Sequence, residues 1–253
     1  MKLIVLGSGT SVPHPQRTSA AYWLQTDNGQ LLLDMGPDAP HRMAQEQLDW
    51  FNLDAIWISH FHLDHMGGLA PFLIGTRWAH QTQQRRKRLG IFGGSGLKRI
   101  LEVIDQANDY HLFKQRFPVE VLEVAPGSEF EILPGLSART FSTPHTKESL
   151  AIRLEDKSTV IVYTSDTGYS DDLIEFARGA GVLLMECSFF KNKPIKTHLE
   201  LTEAMQIART CEPERVVLSH LYSEWDGINL ADEALKLWPG KTIEAFDGLR
   251  IEF

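Results

Sequence analysis

The sequence predicts an α/β protein in which two β-sheets are faced by helices. Three observations carry this. Short apolar runs of strand length recur along the whole chain, and helical stretches are interspersed among them. The histidines and acidic residues that stand out sit just past the ends of those runs, where α/β proteins commonly build their sites.

Residues 3–6, Leu-Ile-Val-Leu, form a short buried strand stopped by Gly7-Ser8-Gly9. Residues 20–25 and 31–33 read as a strand pair around the turn Asp27-Asn28-Gly29. A helical stretch over 40–47 precedes Ala55-Ile56-Trp57-Ile58-Ser59, a strand that runs straight into a cluster of histidines. Helices are expected over 68–76 and 96–106. Strands follow over 119–124, 137–141, 150–154 and 159–163. Helices over 171–178 and 201–209 then alternate with strands over 182–185 and 216–218, and the chain returns to strand over 241–253. No internal repeat or low-complexity tract interrupts this order.

The 253 residues suffice for one large domain or two small ones, with no compositional break between halves. The longest early apolar run is far too short for a signal-peptide core or a membrane span, so a cytoplasmic protein without membrane attachment is expected. Cys187 and Cys211, the only cysteines, lack a paired metal spacing and read as buried free thiols. A net charge of −8 argues against a broadly basic grip on long nucleic acid, although bound metal would change the local field for an anionic substrate.

The informative segment is Ser59-His60-Phe61-His62-Leu63-Asp64-His65-Met66-Gly67-Gly68. Four zinc-type ligands fall within six residues. His60 and His62, two apart, face the same side of an extended segment. Asp64 and His65 follow where the chain turns toward a helix, so a loop here can serve a second, nearby ion. Ordinary surface histidines in a polar loop explain this density poorly. Three more candidates share the same setting. His145 follows the strand 137–141, Asp166 the strand 159–163, and His220 the strand 216–218. Alone, each reads as structural or exposed; with the first cluster, they read as ligands.

This pattern, His60-x-His62-x-Asp64-His65 with His145, Asp166 and His220, resembles the full ligand set of the metallo-β-lactamase superfamily over nearly the whole chain. The resemblance implies a four-layer αββα sandwich, a single domain over residues 1–253, and two Zn²⁺ ions at one sheet edge, with Mn²⁺ or Fe as alternative metals. It also implies one site of His60, His62 and His145, another of Asp64, His65 and His220, and Asp166 bridging the two. A carboxylate at 166 and a histidine at 65 differ from the pattern of the true β-lactamases. A histidine at 62, where diiron flavoproteins of the superfamily carry glutamate, favours zinc.

Within the superfamily the chain is similar to the ribonuclease Z-like phosphodiesterases. The similarity lies in Gly7-Ser8-Gly9-Thr10-Ser11 with Pro13, Arg17 and Ser19, in Leu33-Asp34-Met35-Gly36, in Gly93-Gly94-Ser95-Gly96-Leu97 and in Ser165-Asp166-Thr167-Gly168. His198 resembles the group's extra histidine near the leaving group, with a structural role at a helix start as the alternative. Only 20 residues, 146–165, separate His145 from Asp166, so the inserted arm that grips transfer RNA in ribonuclease Z is absent. A smaller or cyclic phosphodiester, or short RNA, is the expected substrate, and a homodimer is expected by analogy.

Two zinc ions lower the pKa of a shared water toward neutrality and supply hydroxide for in-line attack on phosphorus. Asp64 and His198 are the candidate catalytic residues, His198 by protonating the leaving oxygen. Asp34 is expected either to orient a ligand histidine or to shape a turn. Arg85-Arg86-Lys87-Arg88 reads as an exposed loop, or else as a substrate clamp that Trp78 and His80 would line. Residues 186–194 form a plausible loop over the site, with Phe189 and Phe190 read as core. Gly93 to Gly96 lacks the lysine of a nucleoside triphosphate loop. Two other functions compete: a zinc-dependent lactone or thioester hydrolase, and a non-catalytic metal-binding module, which the intact ligand set disfavours.

Overall fold

A computed structural model describes residues 1–253. The first half holds β1 (Lys2–Gly7), β2 (Ala21–Thr26), β3 (Gly29–Leu33), α1 (Ala39–Gln45), β4 (Ala55–Ile58), α2 (Leu63–Met66), α3 (Leu69–Trp78), β5 (Leu89–Gly93), α4 (Leu97–Ala107) and β6 (Val119–Glu123). The second half holds β7 (Glu129–Leu133), β8 (Leu136–Ser142), β9 (Leu150–Glu155), β10 (Val160–Tyr163), α5 (Asp171–Ala177), β11 (Val182–Glu186), α6 (Leu201–Cys211), β12 (Arg215–Ser219), α7 (Leu230–Leu237), β13 (Thr242–Glu244) and β14 (Arg250–Glu252).

The strands pair into two seven-stranded sheets, in the orders β14-β1-β2-β3-β4-β5-β6 and β13-β12-β11-β10-β9-β8-β7. Strands β3 to β6 run parallel in the first sheet and β10 to β13 in the second. Successive residues of a strand point to opposite faces, and here both faces are covered. Leu3 and Val5 of β1 enter the core between the sheets, with Tyr22, Leu33, Trp57, Ile152, Tyr163 and Leu184. Ile4 and Leu6 enter a second core with Met43, Leu69, Leu73 and Leu101 from the helices outside the first sheet. The second sheet does the same: Val162, Leu183 and Val216 pack under residues of α5, α6 and α7. The result is the four-layer αββα sandwich, and its doubly buried strands read as continuous apolar runs.

Most expected elements lie within a few residues of the observed ones. The exception is the chain end. Residues 241–253, expected as one strand, form two: β13 closes one sheet and β14 the other. The segment between them carries Asp247, whose carboxylate accepts from the backbone N–H and hydroxyl of both Ser8 and Thr18 at 2.7–2.9 Å. Those four bonds fix the β1–β2 loop beside the sheet edge. At Gly7 the chains approach too closely for a side chain, since a Cβ would lie 1.9 Å from the Ser19 carbonyl oxygen.

Candidate metal centre

The loops past β3, β4, β10, β11 and β12 meet at one edge of the sandwich. At three of these turns a non-glycine residue takes a left-handed backbone: Asp34 (φ 58°), Ser165 (φ 58°) and His220 (φ 57°). Each such residue costs about 1–2 kcal/mol. The surrounding bonds hold them there; Leu221 N–H, for example, donates to Ser8 O at 3.0 Å. After β4 the chain stays extended to His62 (ψ 144°), and α2 then turns Asp64 and His65 inward, both buried.

All seven expected ligands converge. His62 Nδ1 lies 3.0 Å from His60 Nε2 and 3.1 Å from His145 Nε2. His220 Nε2 lies 3.3 Å from His65 Nε2 and 3.4 Å from Asp64 Oδ2. Ligands about 2.0–2.1 Å from one tetrahedral ion sit roughly 3.3 Å from one another, so both spacings suit a shared cation. Between the two groups stands Asp166. Its Oδ2 is 3.3 Å from His65 Nε2, 3.4 Å from His220 Nε2, 3.7 Å from His145 Nε2 and 3.8 Å from His60 Nε2. Its Oδ1 is buried and has no hydrogen-bond partner. A buried carboxylate oxygen without a partner is costly unless a cation serves it, so the residues present fit a pair of metal ions.

The remaining ring nitrogens are assigned by their partners. His145 Nδ1 donates to Thr197 O at 2.9 Å, which leaves Nε2 for the centre. Ser59 Oγ lies 3.1 Å from His60 Nδ1 and donates to Asp34 Oδ2 at 2.7 Å. Asp34 also accepts from Ser59 N–H, Tyr163 O–H and His65 Nδ1 at 2.6–2.7 Å. A second buried carboxylate, Glu186, does the equivalent on the other side. It accepts from His198 Nδ1 at 2.8 Å and from Ser188 Oγ at 2.6 Å, and Ser188 Oγ lies 3.0 Å from His220 Nδ1. Asp34, which the sequence leaves between orienting a histidine and shaping a turn, does both, with φ 58° at the turn and a 2.7 Å bond from His65 Nδ1, whereas Glu186 and Ser188 read from sequence only as part of a covering loop. The signal that could have found Glu186 is its place as a lone acid at the end of the apolar strand 182–185.

Charge follows this geometry. Burial disfavours the Asp166 carboxylate, yet His220 and His65 hold it well below the usual carboxylate range. Burial likewise opposes charge on Asp64, while His220 and His65 hold it low. Burial, reinforced by neighbouring imidazoles, pushes His60 and His145 down toward the neutral form a metal ligand needs. His65 goes the other way: against burial, Asp166 and Asp34 raise it. The same two carboxylates would favour a metal cation at Nε2 in place of a proton. His198 is also raised, by Glu186 against burial.

The basic run 85–88 is not a clamp at this edge. Arg85 is buried, donates to the carbonyls of Phe51, Leu53, Lys87 and Arg88, and stacks 4.1 Å from the Phe117 ring. Lys87 pairs with Asp54 and Arg88 with Glu120. The glycine-rich start of α4 is satisfied internally, because Gly96 and Lys98 N–H groups donate to Glu123 at 3.0 and 2.9 Å. No helix is long and apolar enough to cross a membrane.

Comparison with known proteins agrees with this picture. The family described as "Anti-Pycsar protein Apyc1" matches residues 1–238. The probable metallo-hydrolase YhfI of Bacillus subtilis is 27% identical, with 98% of each chain covered. Its crystal structure superposes with a TM-score of 0.85 at 23% identity, covering 100% of this chain and 99% of that one. A ribonuclease Z of Metallosphaera sedula is 25% identical, with 94% of each chain covered. A diphosphatase of the PhnP family superposes with a TM-score of 0.78 at 23% identity, covering 100% and 97%. With its fold, its His/Asp edge and its relatives agreeing, the chain belongs to the Anti-Pycsar protein Apyc1 family, within the ribonuclease Z-like group of the metallo-β-lactamase superfamily, and is a metal-dependent hydrolase.

Proposed function

We infer that this hydrolase is a dinuclear zinc phosphodiesterase acting on a small or cyclic phosphodiester or on short RNA. The observation that carries the reading is Asp166, with one carboxylate oxygen between two groups of ligand nitrogens and the other buried without a partner. His60, His62 and His145 would hold one ion, and Asp64, His65 and His220 the other, with Asp166 serving both. Imidazole and carboxylate donors suit zinc. When bound, such ions would supply an activated water and neutralise charge building on the phosphate.

The chain's own groups do the rest. Asp64, buried at the same edge, can orient the attacking water and take its proton. His198 is held by Glu186 through Nδ1, which leaves Nε2 to give a proton to the departing oxygen. Neutral imidazoles and two carboxylates around two Zn²⁺ would leave a net positive local charge, which would attract an anionic diester to an acidic chain. The names of the relatives point the same way, since a ribonuclease and a diphosphatase both cut bonds to phosphorus.

The test is hydrolysis of bis(p-nitrophenyl) phosphate by the zinc-loaded protein, with Asp166→Ala as control. Turnover in the parent and its loss in the variant are expected. An inert parent with two zincs bound would overturn the phosphodiesterase reading and direct the search to lactones and thioesters.

A further inference from the structure

Tyr222, two residues past the ligand His220, stands at the same edge and has no part in the chemistry above. It is half-buried. Its ring stacks on Phe189, with centroids 5.1 Å apart and planes at 13°, and meets the His220 ring edge-on at 6.1 Å and 77°. Phe189 in turn lies 6.3 Å from the His198 ring, and His198 stacks on His220 at 5.5 Å. The phenol therefore adjoins the His198 and His220 side of the centre, and its oxygen lies in the field of Asp166, Asp64 and Glu186.

The hydroxyl is free to donate. Tyr22 O–H donates to Ser219, Tyr163 O–H to Asp34 and Tyr169 O–H to Asp171, whereas no group of the chain accepts from Tyr222 O–H. The phenol oxygen takes a hydrogen bond from the Ser11 hydroxyl on the β1–β2 loop, which leaves its own hydrogen for another acceptor. A phenol is protonated at neutral pH. The cations of this wall are engaged elsewhere: Arg17 pairs with Asp226 and Glu244, and Lys193 with Glu203. The donor is also held still. Leu221 N–H donates to Ser8 O at 3.0 Å, Tyr222 N–H to Ser188 O at 3.4 Å and Trp225 Nε1–H to Cys187 O at 2.8 Å. His14 Nδ1 accepts from Gln16 N–H, so Nε2 carries the proton and donates to the Asp226 carboxylate, 3.1 Å from both oxygens. That bond ties the Ser11 loop to the segment after Tyr222. A donor fixed before the substrate arrives needs no reorganisation at the moment of reaction.

We propose that Tyr222 is a further substrate-binding residue, whose hydroxyl donates a hydrogen bond to an unesterified oxygen of the phosphate group at the metal centre. This role rests on the phosphodiesterase reading for the identity of the anion. It supplies a neutral donor to the phosphate oxygens, while His198 serves the departing oxygen. A tyrosine there only to cover Phe189 would be replaced by phenylalanine without effect.

The test is Tyr222→Phe in the zinc-loaded full chain, read in three ways. Zinc content and melting temperature are expected to match the parent, because the ring and its stack are kept. The kcat/KM for bis(p-nitrophenyl) phosphate is expected to fall about tenfold or more, the effect of losing one bond to a charged group. Inorganic phosphate, followed by isothermal titration calorimetry, is expected to bind about tenfold more weakly. Unchanged phosphate affinity with unchanged kcat/KM in an active parent overturns this role alone and leaves Tyr222 as cover for Phe189. Loss of zinc in step with turnover also overturns it, by making the hydroxyl a support of His220. A parent inert toward the diester, whose phosphate affinity the substitution still lowers, sinks the phosphodiesterase reading while the hydroxyl keeps its anion. A parent that neither cleaves the diester nor binds phosphate overturns both.

Discussion

Asp34 has no solvent contact and accepts four hydrogen bonds, from Ser59 N–H, Ser59 O–H, Tyr163 O–H and His65 Nδ1. The bond from His65 makes Nδ1 the protonated nitrogen and turns Nε2 inward. Replacing Asp34 by Ala leaves three other buried donors without an acceptor, each costing about 1–3 kcal/mol, and frees the imidazole to rotate. Asp34→Asn keeps the shape and removes the charge. Both are expected to weaken zinc binding by about 10- to 100-fold, read by competition with a chromogenic chelator, and Asp34→Ala is also expected to lower the urea midpoint. Unchanged zinc affinity in Asp34→Asn would show that Asp34 only shapes the turn. Glu186 makes the parallel case across the site, where one carboxylate orients His198 directly and His220 through Ser188.

At the scale of elements, six expected ligands sit on the loops that follow β4, β10 and β12 or in the short α2, and His145 on the loop after β8. His198 instead rides the loop between β11 and α6. That loop is tied down at Lys193, whose Nζ donates to His198 O and pairs with Glu203 on α6, and by close contact with the Asp166 loop at Gly168. A Cβ at Gly168 would lie 2.3 Å from the Lys196 carbonyl oxygen, so Gly168→Ala must push the His198 loop outward. Zinc content is expected to hold while turnover falls about tenfold or more; full turnover would mean that the placement of His198 is not critical. The ligand-bearing strands were legible because their apolar runs end abruptly at histidine or aspartate. Others were not, for local reasons. β5 is Leu-Gly-Ile-Phe-Gly, weakened as a strand signal by two glycines. β7, Glu-Phe-Glu-Ile-Leu, is short and half exposed. Glu186 looked like a loop acid because only the folded chain sets His198 and Ser188 around it. Arg85 looked exposed because its partners are carbonyl groups, which leave no mark in sequence.

At the scale of the whole molecule, the centre joins the two halves of the sandwich. His60, His62, Asp64 and His65 belong to the first sheet's edge, and His145, Asp166 and His220 to the second. Any ion held as proposed would tie one sheet to the other, and it would bind the folded chain far better than the unfolded one. Such linkage stabilises by about 4 kcal/mol when free ligand is a thousandfold above its dissociation constant. For a chain of this size, roughly 2–4 °C accompanies each kcal/mol. Scanning calorimetry of the zinc-loaded protein, with and without a strong chelator, is therefore expected to show the melting temperature fall by roughly 10 °C on metal removal. Asp166→Ala should melt close to the chelated parent and respond little to chelator, because the carboxylate shared by both groups is gone. A chelator-insensitive parent, with zinc loss verified, would show that the two sheets hold together through their common apolar core alone. In that case the convergence of seven side chains at the edge would serve chemistry without contributing to stability.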